Sequence, residues 1–332
     1  MSLLGIDIGG TKTAVCVGTR AGRVLAADRM ATRGKDPFAS YLPRLRDLCR
    51  KVMSHAGVAV EAVRAVGIAA PGPMSVRKGM LYAPPNNPGW KDVPIVQALV
   101  DAFGRPVFLN NDANAAALAE FFFGECKGAP DLVYLTFSTG MGGGIIANGR
   151  LIQGVTDAAG EIGHQTLDPD GPPCGCGKRG CFEAYVGGYN VAERLKEKIK
   201  RSGVRTRIVE KAGGDVEKVD TKAFVAAARE GDPFALEEWE VFTERLAQGI
   251  GNVIMTLNPA VVILGTIAVH EGEFVLEPLR RKLPRYVWPE PLRACRIVPS
   301  SLGDNIGNLA ALAVAVSALQ AQGPAAQRAA TS

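Results

Sequence analysis

Apolar positions at the start of the chain come in short runs divided by glycine. The segments LLGIDIG, TAVCVG and RVLAADRMAT read as three successive β-strands. Helical spacing takes over from about Pro37 to His55, and a further strand, VRAVGIAAPG, leads into a loop dense in proline and asparagine, YAPPNNPGW. The next strand, RPVFLN, runs straight into an alanine-rich helix from about Ala113 to Glu125. After that helix the opening plan returns: DLVYLTFSTG, GGGIIANG and RLIQG are again short strands broken by glycine turns. Around Asp7 and around Ser138, an apolar strand delivers a tight turn of small residues into a second strand, so two similar halves are expected.

The remainder is mostly helical in pattern, from about Glu183 to Arg201, Thr221 to Arg229 and Pro233 to Leu257. Two strands interrupt it, AVVILG and CRIVPS, and a last apolar helix spans about Asn305 to Leu319. Strands alternating with helices predict an α/β architecture. The small-residue segment 323–332 is expected to be disordered.

At 332 residues and 47% hydrophobic content, the chain can bury more than one core, and two lobes are the default expectation. Lysine and arginine exceed acidic residues by five, which suits local handling of anions but not a nucleic-acid coat. No secretory or transit pattern opens the sequence and no apolar run reaches membrane-spanning length, so a cytoplasmic location is expected. Thiols stay reduced there, and an odd cysteine count of seven argues against a disulfide framework.

Three of those cysteines crowd into PCGCGKRGCFE. Cys174, Cys176 and Cys181, with His164 upstream, form a closed tetrahedral donor set for zinc, whose borderline softness suits thiolates and imidazole. The intervening glycines let the backbone aim the sulfurs at one point. Surplus buried thiols are the alternative reading. GCGKRG also matches the dinucleotide pattern G-x-G-x-x-G, but no strand leads into it and no helix opens from it, so that match is rejected. A closed zinc is structural, and this one would pin Glu161, His164 and Glu183 into one region suited to a polyol. The bland alternative for each glutamate is an ordinary exposed charge.

Asn111 and Asp112 lie where a strand meets a helix, a place where carboxylates reach ligands in α/β proteins, although both residue types also serve as helix N-caps. The turn DIGGTKT offers bare backbone amides, a hydroxyl and an ammonium to phosphate oxygens, with Asp7 in reach of a magnesium ion or its waters. STGMGGG offers a second such turn; each alone is also compatible with a plain hairpin.

GIDIGGTKT, APG, NNDANAAALAE, STGMGGGII, GEIGH and CGCGKRGCFE stand in the order and approximate spacing of the ROK family of repressors and sugar kinases, which the chain therefore resembles. GDPFALE, LNPAVVILG and GDNIGNLAAL extend the resemblance over nearly the whole length. It implies the actin-like, hexokinase-type ATPase fold: a smaller α/β lobe of 1–111 plus 303–322, a larger one of 112–302 carrying a zinc loop at 164–181, and a cleft between them. It implies ATP-dependent phosphorylation of the 6-hydroxyl of a hexose, glucose first, with Asp112 as general base. Asn86, Asn111, Asp112, Glu161, His164 and Glu183 match the sugar-binding positions. Asp7, Gly9, Gly10, Thr11, Lys12, Ser138, Thr139, Gly140, Gly142 and Gly265 match the nucleotide side. The family commonly forms dimers or tetramers. One departure is visible: Thr266 follows Gly265 where a second glycine is usual.

A sugar-responsive repressor is the rival reading, but the family's repressors carry a helix-turn-helix domain ahead of the first turn, and here only six residues precede Asp7. Kinases for N-acetylglucosamine, N-acetylmannosamine, fructose, mannose or another amino sugar share the same polar residues. A sugar sensor without turnover is the remaining alternative.

Overall fold

The computed structural model describes residues 1–322; the segment 323–332 expected to be disordered lies outside them. In chain order the elements begin with β1 (Ser2–Ile8), β2 (Lys12–Thr19), β3 (Val24–Ala31), α1 (Phe38–His55), β4 (Val63–Ala70), the short pair β5 (Met74–Ser75) and β6 (Met80–Leu81), α2 (Ile95–Phe103), β7 (Val107–Asn111) and α3 (Asp112–Phe123). The plan then restarts with β8 (Leu132–Phe137), β9 (Met141–Ala147) and β10 (Arg150–Leu151). Helices α4 (Phe182–Val186), α5 (Gly188–Ser202), α6 (Arg207–Lys211), α7 (Thr221–Arg229) and α8 (Pro233–Leu257) follow. The chain continues through β11 (Val261–Leu264), α9 (Ile267–Glu271), α10 (Glu273–Lys282), α11 (Pro289–Ala294), β12 (Arg296–Pro299) and α12 (Ile306–Ala321).

One five-stranded sheet has the order β3-β2-β1-β4-β7 and the other β10-β9-β8-β11-β12. Numbered within its own half, each reads third, second, first, fourth, fifth, so the repeat expected from the sequence is present as topology. In the first sheet β1 pairs antiparallel with β2 and parallel with β4, and β4 is parallel to β7. In the second, β8, β11 and β12 run parallel. Parallel central strands are covered on both faces, which is why β4 and β11 are apolar without alternation, while the edge strand β3 alternates between half-buried and exposed.

The described residues divide into two compact units, 1–129 with 144–159 and 301–322, and 130–143 with 160–300. This differs from the sequence boundary at 111/112. Helix α3 belongs with the first unit because it packs along α12, which is apolar on every side and buried from Leu309 to Val316. Glycines let α12 approach the sheet: a methyl group on Gly67 would lie 2.0 Å from the carbonyl oxygen of Ala311. Gly67→Ala is therefore expected to cost about 3 kcal/mol, read as a lower midpoint in urea unfolding, because a backbone atom has to move to admit the methyl.

In the second unit the helix expected from Glu183 to Arg201 is two helices, α4 and α5, broken at Gly187 and Gly188. The cause is tertiary. Gly188 donates its N–H to the carbonyl of Ser138 at 2.9 Å, and a Cβ there would sit 2.5 Å from that oxygen. Phe182, at the start of α4, is fully buried against Gly249 of α8 and Phe137 of β8.

Candidate active site

In the first unit the turn between β1 and β2 closes with the Gly9 N–H donating to the Lys12 carbonyl at 2.9 Å. Hydroxyls hold it from below: Thr32 Oγ1 donates to the Gly9 carbonyl at 2.8 Å, and Thr13 Oγ1 lies 3.0 Å from Thr32 Oγ1 and 2.9 Å from the buried Tyr41 hydroxyl. No signal in the sequence announced this hydroxyl chain, because its members come from β2, the residue after β3, and α1. Gly10 packs on Asn86, with a Cβ at this glycine falling 2.6 Å from the Asn86 Cβ. A residue assigned to sugar and a turn assigned to phosphate thus touch.

Asp7 sits on β1 beside that turn. Gly307, in the first turn of α12, admits its carboxylate: a Cβ at 307 would come 2.3 Å from Asp7 Oδ2. Burial first, then the nearby Asp112 carboxylate, push Asp7 up from 3.8 to about 6, against the pull of Lys12. A carboxyl whose folded pKa is raised costs stability once ionised; the cost is absent below about pH 4 and complete above about pH 6. Asp7→Asn is therefore expected to stabilise the fold relative to wild type by about 2 to 3 kcal/mol more at pH 7.5 than at pH 4, in urea unfolding at both values.

At the end of β7 the capping arrangement is present. Asn111 Oδ1 accepts from the N–H groups of Ala113 at 2.9 Å and Asn114 at 3.3 Å, so Asn111 is the N-cap of α3. Its amide nitrogen has no hydrogen-bond partner among the described residues. Asp112 is exposed as the first residue of α3, with Oδ1 accepting from Ala113 N–H at 2.8 Å.

In the second unit the turn between β8 and β9 closes with the Ser138 N–H donating to the Gly140 carbonyl at 2.9 Å. Glu183 Oε2 accepts from the Met141 N–H at 2.7 Å, and Oε1 lies 3.7 Å from Cys174 Sγ. This carboxylate thus braces the turn from the cysteine cluster. A contact spanning 42 residues left no mark in the sequence. Gly163 lays the segment carrying Glu161 and His164 against the start of β9, where a side chain at 163 would come 2.8 Å from the Met141 carbonyl oxygen. Gly265, at the end of β11, donates its N–H to the Leu135 carbonyl at 2.7 Å. Thr266 beside it holds φ 42°, a strained value for a β-branched residue, and its hydroxyl lies 3.1 Å from that of Thr136.

The donor atoms of His164, Cys174, Cys176 and Cys181 all lie within 4.8 Å of one another. Cys176 and Cys181 sulfurs are 3.6 Å apart, and Cys174 Sγ is 3.8 Å from His164 Nδ1. Tetrahedral zinc with Zn–S near 2.3 Å separates its sulfurs by about 3.8 Å, so the set fits that ion. His164 faces the cluster through Nδ1 and turns Nε2 toward Glu161 Oε2, 4.0 Å away. Of the remaining thiols, burial lifts Cys16 to about 12 and Cys295 to about 11 and also raises Cys49, which keeps these three unreactive; Cys126 is half-buried.

One strand order used twice, each time with a glycine-rich turn after its first strand, is the architecture of the α/β hexokinase-type fold. The chain belongs to the ROK family, whose sequence profile matches residues 3–318. It is 34% identical to a glucokinase of Thermotoga maritima, over 95% of this chain and 97% of that one. The crystal structure of a ROK hexokinase from Thermus thermophilus superposes with a TM-score of 0.81 at 33% identity, covering 96% of this chain and all of that one. A ROK glucokinase from Streptomyces griseus, solved with glucose and AMPPNP, gives 0.76 at 30% identity, covering 94% and 98%. A xylose repressor of Caldicellulosiruptor bescii is 29% identical over 95% of this chain and 78% of its own length.

Proposed function

We propose that this ATP-dependent hexose kinase of the ROK family takes D-glucose as its preferred acceptor and phosphorylates the 6-hydroxyl. The observation that carries the reading is the 34% identity with a glucokinase over nearly the full length of both chains. Asn86, Asn111, Glu161 and His164 offer amides, a carboxylate and an imidazole N–H to sugar hydroxyls, each of which both donates and accepts. Glu183, whose Oε2 accepts the Met141 N–H, positions the Ser138–Gly142 turn as well as lining the sugar side. Asp112 accepts the proton of the attacking hydroxyl. The amides of Gly9–Lys12 and Ser138–Gly142, together with the Gly265 region, take the nucleotide and hold its phosphates for in-line transfer. Magnesium screens the phosphate charge, and Asp7 is the side chain suited to hold it or its waters. Zinc on His164, Cys174, Cys176 and Cys181 is structural, since four protein ligands leave it no open position.

Among the described residues no helix is long and apolar enough to cross a membrane, in keeping with the cytoplasmic location proposed here. A homodimer or homotetramer is the assembly implied by the family resemblance. The deciding experiment is ADP release with ATP and magnesium across glucose, mannose, fructose, glucosamine, N-acetylglucosamine and N-acetylmannosamine, compared as kcat/KM. Glucose is expected to lead. A larger value for an N-acetylated sugar would replace it as acceptor. Binding without turnover of any sugar would favour the sensor reading, which the 29% identity to a xylose repressor keeps in view.

A further inference from the structure

A cavity of about 940 Å³ opens in the first unit, within the size range of small-molecule sites. Its walls come from the β5–β6 hairpin, β7, α3, the β9–β10 region and the second half of α12. None of the residues assigned above to sugar or nucleotide lines it.

Its charge is one-sided. Arg77, Lys78 and Arg150 line it, and no described lining residue is acidic. Among the described residues none of these three side chains has an ion-pair or hydrogen-bond partner. The hairpin that carries Arg77 and Lys78 is also fixed in place. Asp157 Oδ2 accepts from the Val76 N–H at 3.0 Å and from Ser75 Oγ at 3.3 Å, and Gly79 packs on Val96 of α2. With the hairpin backbone held, its cations have only side-chain freedom to lose on meeting an anion. The opposing wall is apolar, with Phe121 and Phe122 of α3 and Val314 of α12.

We propose that this cavity binds a small organic anion with an apolar body, and that its occupancy tightens the β7–α3 junction. The second clause follows from wall residues on two elements, Asn110 of β7 and the phenylalanines of α3. Asn110 of β7 accepts the Asn111 N–H at 2.9 Å through Oδ1, and Asn111 in turn caps the helix that presents Phe121 and Phe122 to the cavity. An occupant engaging both elements restrains the cap between them.

The probe is 8-anilinonaphthalene-1-sulfonate, titrated by fluorescence into the full chain, with uncharged N-phenyl-1-naphthylamine as the comparison. A single saturable site is expected, weakened about tenfold or more by the exposed triple change Arg77→Gln, Lys78→Gln, Arg150→Gln and by added salt. Ser317→Trp, which fills the cavity from α12, is expected to abolish it. Amide exchange at Ala113 and Asn114 is expected to slow on binding. Absence of saturable binding, affinity unchanged in the triple variant, or equal affinity for the uncharged probe would overturn the site. Tighter binding by a chain ending at Gln322 would assign the cavity to the C-terminal segment instead. Unaltered exchange at Ala113 and Asn114 in the bound chain would overturn the effect on the junction.

Discussion

Replacing Asp112 by asparagine is expected to lower kcat by about a hundred- to ten-thousandfold while hexose affinity stays within about threefold. The substitution is chosen for what it preserves. Asparagine keeps an oxygen able to accept the Ala113 N–H, as Asp112 Oδ1 does at 2.8 Å, so the first turn of α3 is retained. It removes only the capacity to accept a proton as the hydroxyl attacks. Loss confined to kcat identifies a group acting in the transition state, whereas a matching rise in KM would identify a binding contact. A second consequence is independent of turnover. Asp112 is one of the groups holding Asp7 up near 6, so without its charge Asp7 should titrate lower. Stability of the Asp112→Asn chain should then decline less between pH 4 and pH 7 than that of wild type. Single-turnover rates, hexose titration calorimetry and urea unfolding together separate these effects. A variant that turns over at the normal rate removes Asp112 from the role of base.

The parts legible in the sequence are those whose signal is local. Glycine-rich turns between apolar strands, the strand-to-helix junction at Asn111 and Asp112, and the spacing of Cys174, Cys176 and Cys181 each occupy a dozen residues or fewer. The presence of two similar halves was legible for the same reason, since each announces itself by its own first hairpin, whereas the strand order within each sheet was not. What escaped depends on partners distant in the chain. Gly188 breaks a helix that its neighbours favour because the Ser138 carbonyl, 50 positions earlier, occupies the space a side chain would need. Gly307 accommodates Asp7 from the far end of the chain. Helix α3 joined the first unit through α12, a contact that no pattern within either helix specifies. The Glu183 carboxylate could be read from the sequence as a polar group beside the cysteines, but not as the acceptor of the Met141 N–H.

That last contact makes the metal cluster the second large lever. Loss of zinc, through Cys181→Ser or by chelation, is expected to cost about a hundredfold or more in kcat/KM for the hexose. At the tip of the loop from Gln165 to Cys181 the buried cluster is Cys174, Cys181 and, from α4, Ala184, two of them proposed ligands; its base is held independently, Asp168 by Arg245 and the Tyr185 hydroxyl and Gln165 by Gly249 and Asn252. A few backbone contacts remain, such as the Cys174 N–H donating to the Lys178 carbonyl at 2.8 Å and the Phe182 N–H to the Gln165 carbonyl at 2.8 Å. Phe182 stays anchored in the core of the second unit, so the damage should be local rather than global. His164 would lose the restraint that turns Nε2 toward Glu161, and Glu183 would lose the fixed neighbour on one side of the Ser138–Met141 turn. Lys178 and Arg179 lie exposed within the loop and supply the readout, because trypsin should cut there once the metal is gone. Zinc content by elemental analysis, the cleavage rate at these two residues and kcat/KM should change together. A Cys181→Ser chain that retains full zinc would show that the four residues are not the metal site, and one that loses zinc yet keeps normal kcat/KM would separate the metal from the sugar-binding residues.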